Sequence, residues 1–389
     1  MLSLVVLAIT LPPFASLDPT RIPFQFVDNQ IRIDAVVAGA GPFHLILDTG
    51  MPIPGVLLFQ SPRVDALGLA DSGGRVRVAG AGGEGAGSPA KRATDVAIAL
   101  GPLEIPKTSV LVIEEPTGFP PGIDGIVGGE LFFHYVVRLD MDESRLELSP
   151  SGSWAPPKDA CVVPLERVDG KIFVEMRVAV GADAAIPAQV VVDIGAGHAL
   201  SLNTHADGRF APPPGAVETS LGRGASGVLL GQVGRVRRVE LGTFAFENVV
   251  ASFPSEKHQK AGGEDFRDGN LGEEVLRRFN VTFDYAGNRM VLEKSRGFGE
   301  PFEHEMAGLD FDWGKDGSLL VREVLPKSPA ATAGIRVGDR VLSIDGRAMT
   351  GVSDHGLHKA LTVDGGDVRM SLMRGTETLE KTVRLRRLL

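Results

Sequence analysis

Two segments of the sequence, 144 positions apart, carry the same pattern of acidic, glycine and apolar residues. Positions 124–140 read DGIVGGELFFHYVVRLD, and positions 268–284 read DGNLGEEVLRRFNVTFD. A second pair of blocks lies upstream, FHLILDTG at 43–50 and AQVVVDIG at 188–195, with a spacing of 145. Because two separate blocks keep one offset to within a single residue, we predict that the chain contains two copies of one folding unit.

Both copies have the residue pattern of β structure. Residues 174–180 alternate apolar and polar side chains throughout, and residues 31–37 alternate at first, as half-buried strands do. An apolar run leads into Asp48 and another into Asp193, which is typical of a buried strand whose polar end emerges at a turn. The 49 glycines and 26 prolines favour many turns and short strands over long helices.

The repeat also predicts the domain organisation. We expect one lobe over residues 20–150 and a second over residues 158–297. The segment 151–157, rich in proline and serine, is the expected linker between them.

The duplicated blocks resemble the two active-site turns of aspartic proteases of the pepsin and retropepsin superfamily. In that family each lobe supplies an Asp-Thr/Ser-Gly turn at the end of a strand and a later hydrophobic-hydrophobic-Gly segment beside it. The matching residues here are Asp48-Thr49-Gly50 with Ile126-Val127-Gly128, and Asp193-Ile194-Gly195 with Asn270-Leu271-Gly272. The resemblance covers most of residues 20–297 and implies that Thr49, Gly50, Ile194 and Gly195 support the active-site turns.

The resemblance implies a pair of catalytic aspartates. Two lobes related by a pseudo-twofold axis bring equivalent turns together, so Asp48 and Asp193 should face each other at the centre. Two adjacent carboxyl groups share one proton, because both cannot ionise cheaply. The ionised one can take a proton from water while the protonated one polarises a peptide carbonyl. The implied activity is endopeptidase cleavage of a peptide or protein substrate, which needs no cofactor and no metal ion.

Three positions depart from the family pattern. Ile194 replaces the Thr or Ser whose hydroxyl helps to tie the two turns together, and Met51 stands where a small or hydroxyl residue is usual. Asn270 replaces an apolar residue beside the second turn. Because both aspartates are present, we predict an active enzyme. The alternative is a catalytically degenerate protein of the same fold that binds peptides or acts as a scaffold.

The last ninety residues resemble a bacterial PDZ domain, which we expect over residues 301–389. The motifs that carry the resemblance are Ser328-Pro329-Ala330, Ala333-Gly334, Gly338-Asp339 and Ile344-Asp345-Gly346. The resemblance implies a loop whose N–H groups hold the terminal carboxylate of a peptide that adds as a strand, formed here by Gly308, Leu309, Asp310 and Phe311. Protein C-termini are therefore expected partners, although Asp310 would weaken carboxylate binding if its side chain points inward.

A helix from about Ser353 to Leu361 should form the other wall of the PDZ groove. His355 and His358 lie three positions apart on it, but no third ligand is near, so we predict no metal site. The domain order leaves two alternatives open: a PDZ domain that only packs and binds nothing, and a self-processing protease whose PDZ domain gates its own cleft.

Two short motifs point elsewhere and are set aside. Residues 80–85 fit G-x-G-x-x-G, but their flanks alternate like strands, whereas a dinucleotide site must open a helix. We place them in a glycine-rich hairpin tip or surface loop at 73–87, where the first-lobe flap of the family is expected. Ser72, in Asp-Ser-Gly-Gly, is similar to a serine-protease nucleophile. Only 71 residues precede it, too few for most of a double barrel.

The composition narrows the remaining classes. There are 40 basic and 49 acidic residues, for a net charge of −9, and this even acidity argues against a nucleic-acid-binding protein. The single cysteine, Cys161, excludes an intrachain disulfide and a cysteine-based zinc cluster.

The N-terminal segment predicts the compartment. Residues 1–16 are uncharged and largely apolar, like the core of a secretory signal, and they are too short for a stable membrane span of about 20 residues. We therefore predict export, to a periplasm or the exterior; the alternative is an ordinary buried strand. The predicted fold class is mainly β, with two homologous acid-protease β lobes and a C-terminal α+β PDZ domain.

Overall fold

A computed structural model of the protein describes residues 18–78, 87–114, 119, 121–204, 208–224, 227–261, 267–314, 316–349 and 357–389, apart from the side chains of residues 259–261 and 358. The predicted signal segment at 1–16, most of the tip at 73–87 and His355 lie outside the described residues.

The fold is mainly β, as the sequence predicts. In the first half of the chain the described elements are, in order, β1 (Thr20–Pro23), β2 (Gln25–Val27), β3 (Gln30–Val37), β4 (Ala40–Leu47), β5 (Val56–Phe59), α1 (Pro62–Asp65), β6 (Arg75–Val78), β7 (Ser88–Leu100), β8 (Leu103–Ile113), β9 (Gly125–Val127), α2 (Gly129–Phe132), β10 (Tyr135–Asp140) and β11 (Arg145–Pro150).

The following part of the chain, up to Lys294, repeats the order of the strands and the short helix before the last strand pair. Its described elements are β12 (Cys161–Pro164), β13 (Glu166–Val168), β14 (Lys171–Ala179), β15 (Ile186–Asp193), β16 (Leu200–Leu202), β17 (Val217–Gly224), β18 (Gly227–Leu241), β19 (Phe244–Pro254), α3 (Glu256–Ala261), β20 (Gly269–Gly272), α4 (Glu273–Leu276), β21 (Phe279–Asp284) and β22 (Arg289–Lys294).

Each lobe contains an eight-stranded sheet, and the two sheets have the same strand order. The orders are β2-β3-β4-β9-β5-β8-β7-β6 and β13-β14-β15-β20-β16-β19-β18-β17. The strands β3 and β14 show why the alternation in sequence becomes sheet: most of their apolar residues are buried, while Asp34, Glu175 and Arg177 are exposed. In β3 the alternation is incomplete, because Arg32 is buried and Val36 is exposed. The repeat is therefore present in the topology, and the lobe boundaries given above stay a prediction.

A third sheet joins the two lobes. Its six strands run in the order β1-β11-β10-β21-β22-β12, so β10 of the first lobe pairs directly with β21 of the second. Val137 lies opposite Phe283 in this antiparallel pair. One continuous hydrophobic core extends through both lobes beneath the sheets. This arrangement sets the relative position of the two aspartate turns.

The C-terminal region forms a separate sheet with its own core. Its described elements are β23 (Leu309–Trp313), β24 (Leu319–Val324), α5 (Pro329–Thr332), β25 (Arg340–Ile344), β26 (Arg347–Ala348), α6 (Leu357–Ala360), β27 (Asp367–Arg374) and β28 (Glu377–Arg384). The strand order is β23-β24-β25-β27-β28, with β26 beside β25. The Ser-Pro-Ala motif starts α5, because the Ser328 hydroxyl accepts the Ala331 N–H at 3.1 Å and Pro329 takes the first helical position.

The helix predicted for the PDZ groove is described only in part. The helix expected from Ser353 to Leu361 is described only as α6, because residues 350–356 lie outside the described part of the chain. Among the helices that the structure describes, none is long and apolar enough to cross a bilayer.

Candidate active site

Equivalent strands bring the two predicted catalytic aspartates to the centre of the molecule. Asp48 follows β4, and its N–H donates to the carbonyl of Val127 in β9 at 2.9 Å. Asp193 is the last residue of β15 and pairs with Gly272 of β20. In both lobes the later strand runs parallel to the strand that ends in aspartate and antiparallel to the strand after it. The buried apolar strand therefore ends where its polar residue reaches the interface between lobes.

The glycines of the two turns lie directly against the opposite carboxyl group. A Cβ atom at Gly50 would lie 2.8 Å from Cγ of Asp193, and one at Gly195 would lie 2.5 Å from Cγ of Asp48. Any larger residue at either position would push the two turns apart. The carboxyl groups of Asp48 and Asp193 are therefore within hydrogen-bonding reach of each other.

The surroundings of Asp48 disfavour the ionised form of its carboxyl group. Burial, the charge of Asp193 and the hydrogen bond with Asp193 raise the pKa of Asp48 well above its usual value. The N–H of Gly50 donates to Oδ1 of Asp48 at 2.6 Å, and the N–H of Gly195 donates to Oδ1 of Asp193 at 3.0 Å. These donors lower the cost of one negative charge but not of two. A singly ionised pair is the state required for acid–base work on a bound water.

A hydroxyl from the first turn holds the second turn in place. Thr49 is buried; its Oγ1 donates to the carbonyl of Val192 at 2.8 Å and accepts the N–H of Ile194 at 3.0 Å. Ile194 is fully buried and supplies no hydroxyl in return. In the described contacts the side-chain hydrogen bonds that join the two turns therefore come from the first lobe.

An apolar cluster lies beside Asp48. Met51 is 8% exposed and belongs to this cluster with Phe59 and Ile126, against which Ile53 and Phe119 pack. The rings of Phe59 and Phe119 are stacked with centroids 4.7 Å apart. The apolar surroundings of Met51 explain why a hydroxyl is not found at this position.

The second turn has polar neighbours that sequence reasoning missed. Asn270 donates from Nδ2 to Oδ2 of Asp193 at 2.7 Å, and His198 Nε2 lies 3.1 Å from the amide oxygen of Asn270. Asn270 was recognised only as a departure from the family pattern, and His198 was not singled out. The available signal was that His198 stands five residues after Asp193 in the sequence.

A buried carboxyl group lies on the same side of the site. Glu273 is fully buried, and neither of its carboxyl oxygens has a hydrogen-bond partner among the described residues. Burial raises the pKa of Glu273 well above its usual value; the nearby Arg277 opposes this shift, and the charges of Glu274 and Asp193 add to it. Glu273 is therefore a neutral acid close to the aspartate pair.

The predicted PDZ loop already contacts carboxylates of its own chain. Gly308 has φ +76°, which a side chain would strain, and this lets the N–H groups of Ala307, Gly308 and Leu309 converge on the Glu305 carboxyl at 2.6, 2.8 and 3.2 Å. Burial raises the pKa of Glu305 to about 7, against these donors. Asp310 accepts the N–H of Phe311 at 2.7 Å.

The same loop is connected to the second lobe. Arg322 forms an ion pair with Asp310, and its Nη2 donates to the Ser220 hydroxyl in β17 at 2.6 Å. Glu323 accepts from the Thr219 hydroxyl at 2.9 Å and from the Ser220 N–H at 3.2 Å. The PDZ sheet therefore docks on the hairpin of β17 and β18, which is the repeat equivalent of the first-lobe hairpin of β6 and β7.

Of the two motifs set aside in the sequence, residues 80–85 lie outside the described residues, and Ser72 has no catalytic arrangement there. The Ser72 hydroxyl bonds to Thr94, with 2.9 Å to its N–H and 3.0 Å to its hydroxyl, and no histidine shares this contact. No group of three His, Cys, Asp or Glu side chains within the described ranges is arranged to hold a metal ion.

Comparisons with known proteins identify a protease-like β fold followed by a PDZ domain. A family model described as a PDZ domain matches residues 320–359. Among solved structures, an aspartic proteinase from Irpex lacteus aligns with a TM-score of 0.51 over 72% of this chain and 99% of that chain. The two sequences are 14% identical, so this likeness concerns the fold alone.

Two curated relatives carry the name of another protease class. Serine protease HTRA1 of Xenopus tropicalis is 28% identical over 132 residues, and that of Xenopus laevis is 29% identical over 132 residues. Each match covers 34% of this chain and 26% of the relative. The chain thus matches about a quarter of the length of these relatives.

Proposed function

We propose that this protein is an aspartic-type endopeptidase in which Asp48 and Asp193 activate a water molecule. The observation that carries the proposal is the hydrogen-bonded pair of carboxyl groups, one from each of two equivalent turns, with the pKa of Asp48 raised by burial and by Asp193. Thr49, Gly50, Ile194 and Gly195 support the turns in this proposal.

The proposed reaction follows from one shared proton. The ionised aspartate takes a proton from the water as the water oxygen attacks the peptide carbonyl carbon, and the protonated aspartate gives its proton to the carbonyl oxygen. When the resulting diol collapses, the C–N bond breaks and the amine nitrogen receives the proton held by the first aspartate. The diol returns a proton to the second aspartate, which restores the starting state.

The main rival is a peptide-binding scaffold with the same fold. Ile194 and Met51 supply no hydroxyl where the turns could use one, and this favours the rival. The aspartate pair favours the enzyme, because a scaffold gains nothing from burying two acids against each other. A serine protease, as the name of the relatives suggests, receives less support, since Ser72 bonds only to Thr94 in the described contacts.

The PDZ domain implies peptide binding, and we propose that it positions substrate peptides or their C-termini for the protease lobes. The Glu305 carboxyl accepts from three N–H groups in the binding loop, so a peptide carboxylate must compete with it. We also propose export as the setting in which the enzyme works, in line with the apolar segment at 1–16.

Cleavage of a diverse peptide library by the full chain, read by mass spectrometry across pH, tests the proposed activity. Asp48→Asn and Asp193→Asn should each lower the rate at least ~100-fold, since each removes one partner in proton transfer. Asp169→Asn, at an exposed turn, is the matched control and should cleave like the wild type. A statine-type peptide should inhibit and a serine-directed fluorophosphonate should not.

Different outcomes separate the enzyme from its rivals. If Asp48→Asn or Asp193→Asn cleaves peptides at the rate of the wild type, the aspartate pair has no part in the mechanism. Loss of activity after fluorophosphonate treatment or in Ser72→Ala would favour the serine protease. A wild-type protein that binds the statine peptide but cleaves nothing would favour the scaffold.

A further inference from the structure

The two aspartates differ in the groups that donate hydrogen bonds to their carboxyl oxygens. Asp193 accepts the Gly195 N–H on one oxygen and the Asn270 amide on the other, at 3.0 and 2.7 Å. Asp48 accepts the backbone N–H groups of Gly50 and Met51. The second lobe therefore adds a side-chain donor to its aspartate that the first lobe does not supply in the described contacts.

The repeat shows that two positions create this difference together. Asn270 corresponds to Ile126 at the offset of 144, and His198 corresponds to Ile53 at the offset of 145. Ile126 and Ile53 lie in the apolar cluster beside Met51. One lobe thus has two isoleucines where the other has a histidine and an asparagine in hydrogen-bonding contact.

His198 determines which end of the Asn270 amide faces the aspartate. An amide has a donor end and an acceptor end, so its NH₂ group can point at Asp193 only if its oxygen finds a donor elsewhere. Nε2 of His198 lies 3.1 Å from that oxygen. Burial lowers the pKa of His198, against the effect of Asp193, so the ring is neutral at pH 7 and donates through Nε2–H.

We propose that Asn270, oriented by His198, is a positioning residue that keeps Asp193 ionised and leaves the shared proton on Asp48. A donor aimed at a carboxylate favours the charged form. In the proposed reaction Asp193 is then the base that takes the proton of water, and Asp48 is the acid that protonates the carbonyl oxygen. The inference rests on the proposed function for these roles, but not for the distribution of the proton.

The other titratable groups that face Asp193 do not stabilise a negative charge on its carboxyl group. Asp48 is its hydrogen-bonded partner, Glu273 is buried and held neutral, and Tyr285 is buried with its pKa raised, first by burial and then by Asp48. With His198 neutral, the Asn270 amide is the polar side chain that stabilises a negative charge on Asp193.

The test replaces Asn270 with the residue of the first lobe. In Asn270→Ile the midpoint of the Asp193 carboxyl, followed by ¹³C NMR in protein labelled at aspartate Cγ, should rise by roughly one to two pH units. The signal is assigned with Asp193→Asn. In the pH profile of kcat/KM, the midpoint of the acidic limb should move to higher pH by the same amount, while the midpoint of the alkaline limb should not move. His198→Leu should shift the midpoint in the same direction but less, because the freed amide can rotate.

The control is Asn203→Ala, which removes another amide of the same lobe. Asn203 donates to the carbonyl of Arg267 at 3.0 Å and should leave the Asp193 midpoint unchanged. An unchanged midpoint in Asn270→Ile would overturn the inference even if the enzyme cleaves peptides. A wild type that cleaves nothing would overturn the proposed function, while a shifted NMR midpoint would still support the distribution of the proton.

Discussion

Thr49 is the residue on which the alignment of the two turns depends most directly. Its hydroxyl spans from one lobe to the backbone of the other, donating to Val192 and accepting from Ile194. Because Ile194 has no hydroxyl to return, the side-chain connection is one-sided. The Ile194 side chain is instead fully buried in the hydrophobic core that extends through both lobes.

We expect Thr49→Val to destabilise the protein and to lower the proposed peptidase activity. The change keeps the shape of the side chain but leaves a buried carbonyl and a buried N–H without partners, at a cost of roughly 2–4 kcal/mol in the free energy of unfolding. Thr49→Ser keeps the hydroxyl and should retain most of the stability. Urea unfolding of the three proteins gives the comparison, and equal midpoints for the valine and serine variants would show that the hydroxyl contributes little.

At the same scale, the sequence predicted the aspartates and their turns but not the neighbours of Asp193. The turns follow from a repeated motif. The contact between Asn270 and His198 depends on which way two side chains point across a parallel strand pair, and a single sequence carries no direct signal for that. Sequence reasoning therefore found a departure at Asn270 without finding its partner.

The short helices α2 and α4 are repeat equivalents that differ at their first residue. Gly129 begins α2, and Glu273 begins α4 at the matching position. The Glu273 side chain is therefore an addition of the second lobe, placed in the core with both oxygens unpartnered among the described residues. It is a source of pH-dependent instability within this element.

We expect Glu273→Met to become more stabilising as pH rises from 5 to 8. Because the pKa of Glu273 is raised in the folded state, the folded protein keeps a proton that the unfolded chain loses above its ordinary pKa of 4.5. Stability then falls as pH rises, by about 1.4 kcal/mol per pH unit until the folded-state pKa is reached. Methionine removes this loss, so the free energy of unfolding should exceed that of the wild type by about 1–3 kcal/mol more at pH 8 than at pH 5.

The matched control for this element is Glu218→Met. Glu218 lies exposed in β17, and its replacement should give the same difference from the wild type at both pH values. Denaturant unfolding at several pH values measures both variants. A constant difference for Glu273→Met across this range would show that the buried acid ionises without cost.

Elements were predictable where the signal is local. Alternation predicted β3 and β14. The contact of Glu305 with the PDZ loop was not predicted, because Glu305 precedes the residues 308–311 that carry the loop pattern. The docking of β17 on the PDZ sheet joins residues about 100 positions apart, with no repeat to reveal it.

In the molecule as a whole, the two lobes are joined to each other in a different way from that in which the PDZ region is joined to the second lobe. The two lobes share a sheet and one hydrophobic core, so neither can unfold without exposing the other. The sheet of the PDZ region has a core of its own and meets the second lobe through polar contacts such as the pair of Arg223 with Asp312. Phe302, which precedes this sheet in the chain, packs in the core of the lobes. Polar contacts are weakened by salt and bind regions together less strongly than a shared core.

We therefore expect two unfolding transitions, one for the joined lobes and one for the PDZ region. The two tryptophans report on them separately, because Trp154 lies beside Arg289 of the second lobe and Trp313 packs against the PDZ core. In Trp313→Phe and Trp154→Phe, the fluorescence of the remaining tryptophan should follow different urea curves. The curve of Trp313 should have a slope about one third as steep as that of Trp154, since the slope scales with the surface exposed on unfolding.

Added salt should lower the urea midpoint of the Trp313 curve more than that of the Trp154 curve, because the polar docking contacts are screened. The control is circular dichroism, which should be the same for both variants as for the wild type. Coincident curves with equal slopes would mean that the PDZ region is coupled to the lobes as tightly as the lobes are to each other.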